Sequence, residues 1–74
     1  MGGRIRPMGS HEAESILRRH GFHLVSQHGS HRKWRHPDRR LQVIVPAHAG
    51  RNLPTGTLRT ILSTAEIPES EWQT

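Results

Sequence analysis

Apolar residues recur at helical spacing near the start of the chain and at strand spacing in its middle. The helical stretch covers residues 10–20. Its apolar face is formed by Ala13, Ile16 and Leu17. Ser10 is the predicted N-cap, and Glu12 and Glu14 follow in the first turn, where the helix dipole favours carboxylates. Because Gly21 stands where helices commonly end, the pattern predicts a first helix over residues 10–20.

Three short segments with β-branched or aromatic residues follow, and turn-forming residues separate them. These segments are residues 22–27, 31–36 and 41–46. Side chains alternate between the two faces of a strand, so Arg32 and Trp34 fall on one face of the second segment. His31, Lys33 and Arg35 share its other face. Because the connections are short, the strands are predicted to form an antiparallel meander, with Trp34 turned toward the helices.

The last third of the chain predicts a second helix and a further helical turn. Pro54 suits the first turn of this helix. Its apolar face is formed by Leu58, Ile61, Leu62 and Ala65. Pro68 interrupts the helix, and residues 68–73 are predicted to add one turn that packs Trp72 on the domain. The predicted order is α-β-β-β-α, an α+β fold in which two helices cover one face of a three-stranded antiparallel sheet.

Length and composition limit the kind of protein that this chain can form. Its 74 residues, of which 31% are hydrophobic, suffice for one small domain and exclude a large enclosed substrate cavity. We assign residues 10–74 to that domain and the glycine-rich residues 1–9 to a flexible basic arm. No apolar run approaches the roughly 20 residues that a membrane span needs. The absence of cysteine excludes disulfides and cysteine-based zinc sites, and it fits a cytoplasmic location.

Basic residues dominate the middle of the chain. The whole chain has 11 Lys and Arg against 6 Asp and Glu, and Asp38 is the only acid between residues 15 and 65. Such a surface attracts a polyanion, and the arginine side chain pairs well with phosphate. Nucleic acid is therefore the favoured partner. A basic surface that only keeps the chain soluble, or one that binds an acidic protein, is the alternative.

Few catalytic arrangements fit these residues. The carboxylates lie mostly near the two ends of the chain, so they cannot form the cluster of a two-metal nuclease. RNA cleavage without metal needs a base for the 2′-OH and an acid for the leaving oxygen, and histidine suits both roles near neutral pH. His31 fits this chemistry, because Lys33 and Arg35 on the same strand face offset charge on the phosphate. A histidine that only contacts phosphate is the alternative.

Several short motifs occur together and in a characteristic order. They are GSH at residues 29–31, HPD at 36–38, VPAH at 45–48 and GTLRTIL at 56–62. In this combination the chain resembles the HicA family of toxin–antitoxin mRNA interferases from about residue 10 to residue 71. The resemblance implies a double-stranded-RNA-binding-like fold, cleavage of mRNA, and a HicB-like antitoxin that covers the active face. The family's catalytic histidine falls on His31.

The resemblance and the strand geometry together define the candidate site. His31 is the expected catalytic residue, and Gly29 and Ser30 form the turn that aims it. The expected RNA contacts are Arg32, Lys33, Arg35, His48 and Arg51. Neither a metal nor a small-molecule cofactor is expected, and Trp34 is predicted to pack in the core. A non-catalytic RNA-binding module of the same fold is the alternative to the ribonuclease toxin.

Overall fold

The computed structural model describes residues 4–73. This part of the chain contains two α-helices, three β-strands and a short 3-10 turn. Helix α1 spans Ser10–Arg19 and is followed by strands β1 (His23–His28), β2 (His31–His36) and β3 (Leu41–Pro46). Helix α2 spans Thr55–Thr64, and a 3-10 turn follows at Glu69–Glu71. This order confirms the predicted α-β-β-β-α fold.

The three strands form one antiparallel sheet with β2 in the centre. Trp34 of β2 pairs with Leu24 of β1 and with Val43 of β3, and residues directly opposite each other share a face of the sheet. Trp34 and Val43 are buried, whereas Leu24 on the edge strand is 40% exposed. Both helices pack on this face. Within residues 4–73 no helix lies over the opposite face, which is called the open face below.

Strand β1 contains a bulge at Val25. Leu24 pairs with Trp34, but the next pair joins Ser26 to Lys33, so Val25 is an extra residue on β1. The bulge leaves Val25 50% exposed. It also shifts the alternation of the strand by one residue. The second half of β1 therefore places on the open face those side chains that simple alternation from Leu24 assigns to the helix face.

The core lies between the helices and the sheet and is largely aliphatic, as the composition predicts. Its buried apolar residues are Met8, Ala13, Ile16, Leu17, Phe22, Trp34, Val43, Val45, Leu53, Leu58, Ile61, Leu62, Ala65, Ile67 and Trp72. The predicted core position of Trp34 is confirmed, since this side chain is 1% exposed. Trp72 is also buried, and its indole N–H donates to the Ile67 carbonyl at 3.0 Å.

A buried carboxylate joins α1 to the central strand. Glu14 Oε2 accepts a hydrogen bond from Trp34 Nε1 at 2.7 Å and another from Arg32 Nε at 2.6 Å. Glu14 is 6% exposed. One turn further along α1, the guanidinium carbon of Arg18 lies 5.1 Å from the centre of the Trp34 ring, which adds a cation–π contact. The helix and the strand are thus held together by polar as well as apolar contacts.

Helix α1 begins differently from the prediction. Gly9, not Ser10, is the N-cap: its backbone is extended, its carbonyl accepts the Ala13 N–H at 3.1 Å, and no side chain caps the helix. Gly9 forms a β-bridge with Asn52. A Cβ on Gly9 would lie 3.1 Å from the Arg51 carbonyl oxygen. The close approach of two backbone segments, rather than a hydroxyl cap, therefore determines where α1 begins.

Residues 4–9 pack against the domain, whereas the sequence predicts a flexible arm over residues 1–9. Ile5 forms a β-bridge with Gln73. Met8 is 1% exposed and belongs to the core. These two apolar side chains supply the physical reason, because burying them removes apolar surface from water. The rest of the predicted arm, residues 1–3, lies outside the described residues.

Glu71 joins the C-terminal 3-10 turn to α1. Its carboxylate lies 3.0 Å from Arg19 Nη2 and 3.6 Å from His20 Nε2. The hydrogen bond from Arg19 is the main cause that lowers the pKa of Glu71 below its ordinary value, and the nearby His20 imidazole lowers it further. The C-terminal turn is therefore tied to the end of α1.

Both helices end in the same type of turn, but with different residues. Gly21 after α1 has φ +93° and Glu66 after α2 has φ +57°. In each turn this residue donates its N–H to the carbonyl three residues earlier, which is typical of a Schellman motif. Glycine adopts a positive φ freely, whereas in glutamate the Cβ atom makes this conformation sterically unfavourable. Glu66 therefore stands at a strained position.

We predict that Glu66→Gly is more stable than Glu66→Ala by about 1 kcal/mol, because only glycine relieves the strain at this position. Both variants lose the exposed ion pair between Glu66 and Arg39, so this loss cancels in the comparison. The free energies of unfolding in urea provide the measurement. Equal stabilities of the two variants would contradict the prediction.

We also predict that Glu14→Ala lowers the free energy of unfolding by about 3 kcal/mol, because it leaves the Trp34 N–H and the Arg32 guanidinium without their acceptor. Glu14→Gln should cost less, since its amide oxygen can still accept from Trp34. Glu12→Ala is the control: its exposed pair with Arg6 is worth at most about 1 kcal/mol. Urea unfolding followed by tryptophan fluorescence distinguishes these variants.

Candidate functional site

The open face of the sheet is basic and carries the predicted catalytic residue. From β2 it presents His31, Lys33 and Arg35. Their cross-strand partners are His28 and Pro46 for His31, Ser26 and Ile44 for Lys33, and His23 and Gln42 for Arg35. The three described strands contain no Asp or Glu. A phosphate group on this face therefore meets cationic side chains and no carboxylate from the sheet.

A two-residue turn places His31 at one end of the sheet. Gly29 has φ +60° and Ser30 has no positive φ, which is the pattern of a type II′ hairpin turn with glycine first. Gln27 Nε2 donates to the Gly29 carbonyl at 2.9 Å, and the Ser30 carbonyl accepts the Ala47 N–H at 2.6 Å. These bonds tie the turn to β1 and to the segment that follows β3.

That segment brings His48 and Arg51 to the same end of the sheet. Both residues line a pocket together with Pro46, which is the cross-strand partner of His31. Pro54, the N-cap of α2, lines the same pocket. The backbone N–H groups at the start of a helix carry partial positive charge, which favours an anion nearby. His48 and Arg51 thus lie near the end of the sheet at which His31 stands.

Lys33 and Arg35 extend the basic surface away from His31. A strand rises about 3.3 Å per residue, so the backbone distance from His31 to Arg35 is about 13 Å. At the far end, Arg35 lines a shallow depression with His23, Val25 and Pro37. The cations therefore form a track along the open face rather than a single anion pocket.

Arg32 is separated from the other predicted RNA contacts. It lies on the helix side of β2, where its Nε is 2.6 Å from Glu14 Oε2 and its Nη1 donates to Gln27 Oε1 at 2.9 Å. Its side chain is 24% exposed. Arg32 therefore links α1 and β1 to the central strand. This contact agrees with its predicted position on the same face as Trp34.

Sequence reasoning missed two residues next to the site. Glu14 was expected only to favour the helix dipole, although a cation on the helix side of β2 was a sign that a carboxylate would face it. His28 was given no role, yet it is the direct cross-strand partner of His31. The bulge at Val25 hides this pairing from the sequence, because counting alternate residues along β1 from Leu24 puts His28 on the helix face.

Other kinds of site were also sought in the described chain. Within residues 4–73, no three His, Asp or Glu side chains are grouped so that they could hold a metal ion. Neither α1 nor α2 is long and apolar enough to cross a membrane, and the same holds for the rest of the described residues.

Comparison with known proteins identifies the family. The model of the HicA toxin of bacterial toxin–antitoxin systems matches residues 10–67, which include both helices and all three strands. No curated protein matches the chain. The family match covers most of the chain and includes the basic open face with the GSH motif at its end. This chain therefore belongs to the HicA toxin family.

Proposed function

We propose that this protein is a metal-independent endoribonuclease that cleaves mRNA and uses His31 as a general acid or base. The observation that carries the proposal is the place of His31, which is exposed at the end of a basic sheet face in a chain of the HicA toxin family. An imidazole can give or take a proton near neutral pH. The surrounding cations suit an anionic substrate.

The proposed reaction needs only proton transfers and charge stabilisation. The 2′-oxygen of a ribose attacks the neighbouring phosphorus, the P–O5′ bond breaks, and a 2′,3′-cyclic phosphate remains on one fragment. One proton leaves the 2′-OH and one proton reaches the departing 5′-oxygen, so the reaction consumes neither water nor a cofactor. His31 carries out one of these transfers. Lys33 offsets the negative charge that develops on the phosphoryl oxygens.

The RNA contacts that we propose are Lys33, Arg35, His48 and Arg51. Lys33 and Arg35 lie along β2, and His48 and Arg51 lie in the pocket beside Pro46, so an RNA strand can cross the open face past His31. Arg32 contributes differently, because its guanidinium is already bound to the buried Glu14 carboxylate. We therefore assign Arg32 the role of orienting β2.

An antitoxin related to HicB is the partner that we propose for the open face. Without a partner, the face exposes the basic track and the half-exposed apolar side chains of Val25 and Ile44. An acidic partner that covers His31, Lys33 and Arg35 would complement the charge and keep RNA away. The toxin would then be held inactive while the complex lasts.

We predict that His31→Ala abolishes RNA cleavage in vitro and growth arrest in cells. A general acid or base typically supplies about 10²–10⁴-fold in rate, so the loss should be large. Stability should change by no more than about 0.5 kcal/mol, because the side chain is exposed. Cleavage of a labelled RNA in EDTA, with His11→Ala on α1 as the control, provides the measurement. Cleavage by His31→Ala at the wild-type rate would contradict the assignment and direct attention to His48.

A non-catalytic RNA-binding module is the second candidate, because the basic track can bind phosphates without any chemistry. Cleavage of RNA by the wild-type protein in EDTA distinguishes the two, and Arg35→Ala tests the basic track that both candidates use. In a ribonuclease this substitution should weaken RNA binding and lower the slope of binding against salt concentration by about one charge, while cleavage at saturating RNA persists. If the wild-type protein binds RNA in EDTA but never cleaves it, the binding module is correct and the ribonuclease proposal is wrong.

We predict that the complex with the antitoxin weakens as salt is added and that Lys33→Glu weakens it at low salt. Exposed charges are screened beyond about 8 Å at physiological ionic strength, so the rim contacts should respond first. Titration calorimetry at two salt concentrations measures the effect. Arg59→Glu is the control, because Arg59 is exposed on α2. We also expect His31 and Lys33 to become protected from solvent in the complex. A His31 side chain that stays exposed to solvent in the complex would contradict this form of inhibition.

A further inference from the structure

His28 and His31 flank the Gly29 and Ser30 turn and face each other across the two strands. We propose that His28 is a second catalytic residue, which carries out the proton transfer that His31 does not. The proposal rests on the proposed ribonuclease function. It differs from that function in dividing the two proton transfers between two imidazoles on neighbouring strands.

The bulge in β1 is what puts both imidazoles on the same face. After the bulge, Ser26 pairs with Lys33, Gln27 with Arg32, and His28 with His31. Gln27 bonds Arg32 on the helix side, so the flanking pairs lie on the open side. Directly opposite residues in an antiparallel pair have Cβ atoms roughly 4.5–5.5 Å apart. Two imidazoles at this separation can contact the same phosphodiester.

The turn between the two histidines restricts their relative position. Its two residues leave no freedom of register, and Gly29 adopts the φ of +60° that a type II′ turn requires. The hydrogen bonds from Gln27 to Gly29 and from Ala47 to Ser30 hold the turn from both sides. The pair is therefore positioned by hydrogen bonds to the backbone of the turn, one from the Gln27 side chain and one from the Ala47 backbone.

The charges around the pair suit two histidines that exchange protons. From the sheet, Lys33 faces the pair on the open side, and from the segment after β3, His48 and Arg51 lie at the same end. Arg32 and Glu14 face each other on the opposite side of β2. The described strands contain no Asp or Glu that could pair with either imidazole. An imidazole can act as a general acid or as a general base near neutral pH.

The reaction balances in protons and charge when each imidazole carries out one of the two transfers. The neutral imidazole of the pair accepts the proton of the 2′-OH while the new P–O2′ bond forms. The protonated imidazole gives its proton to the 5′-oxygen while the P–O5′ bond breaks. The pair ends with its protonation exchanged and its total charge unchanged. Proton exchange with solvent, to which both exposed side chains have access, restores the starting state.

His28→Ala provides the test, and His23→Ala is the matched control, because His23 is an exposed histidine on the open face at the other end of the same strand. We expect His28→Ala to lower kcat for a short RNA by about 10²-fold or more, with KM changed only a few-fold. His23→Ala should keep the wild-type kcat. Circular dichroism and the thermal midpoint should match for the two variants, because both substitutions are on exposed strand positions.

The pH profile separates a catalytic role from a structural one. With two imidazoles, kcat should pass through a maximum with pH, since one group must be neutral and the other protonated. His28→Ala should remove one of the two limbs of this profile. A merely structural effect of the substitution would lower the whole curve and leave its shape intact.

A substrate with an activated leaving group assigns the two roles. A nucleoside 3′-(4-nitrophenyl) phosphate needs no proton on its leaving oxygen, so the variant that lacks the general acid should cleave it nearly as fast as the wild type. The variant that lacks the general base should remain slow. Restoration of one of the two variants, His28→Ala or His31→Ala, supports the proposal, and an equal response of both contradicts it.

The outcomes keep this inference separate from the proposed function. If His31→Ala is inactive while His28→Ala cleaves RNA at the wild-type rate, the ribonuclease stands and the role of His28 is wrong. The same conclusion follows if His23→Ala loses as much activity as His28→Ala. If the wild-type protein cleaves no RNA at any pH, it is the proposed function that fails.

Discussion

The Glu14 carboxylate is the contact on which the basic face depends. A buried ionised carboxylate is costly unless hydrogen-bonding partners and an opposite charge compensate for it, and here Trp34 and Arg32 do so together. These partners are two residues apart on β2, so their contact with α1 fixes which side of the strand faces the helices. Because side chains alternate, His31 and Lys33 must then emerge on the other side. A contact beneath the sheet thus determines which side chains the sheet presents on its open face.

The N-terminal segment has a related role at the end of the sheet. Met8 and Gly9 are bonded to the backbone of Leu53 and Asn52, which closes the segment that carries His48 and Arg51. Residues 8 and 9, which the sequence assigns to a flexible arm, therefore pack against the loop beside His31. The same backbone contact stands where the sequence predicts the Ser10 cap, and a Cβ at position 9 would be in tight contact with the Arg51 carbonyl. Both differences from the sequence prediction have one physical cause, namely that residues 8–9 pair with a segment more than forty residues away.

Local patterns were sufficient for most of the fold and for part of the site. Helical spacing, glycine at helix ends and strand alternation gave the element order and the burial of Trp34, because each depends on neighbours in sequence. The pairing of Arg32 with Glu14 depends on two elements meeting, which no local pattern specifies. The bulge at Val25 cannot be predicted from the local sequence either, since it becomes visible only in the pairing of β1 with β2. The site residues most affected are Arg32, whose partner these non-local contacts decide, and His28, whose face they decide.

The two faces of the sheet are subject to different physical constraints. The helix face supplies the core, so its residues are constrained by packing, and the one buried carboxylate there has its partners. The open face adds little to the core and can hold several cations without losing the fold. Like charges on such a face repel one another, and in the described strands no carboxylate relieves that repulsion. A polyanion or an acidic protein relieves it on binding. The proposed RNA substrate and the proposed antitoxin would therefore be attracted by the same feature, and competition between them would follow from the charge of the face itself.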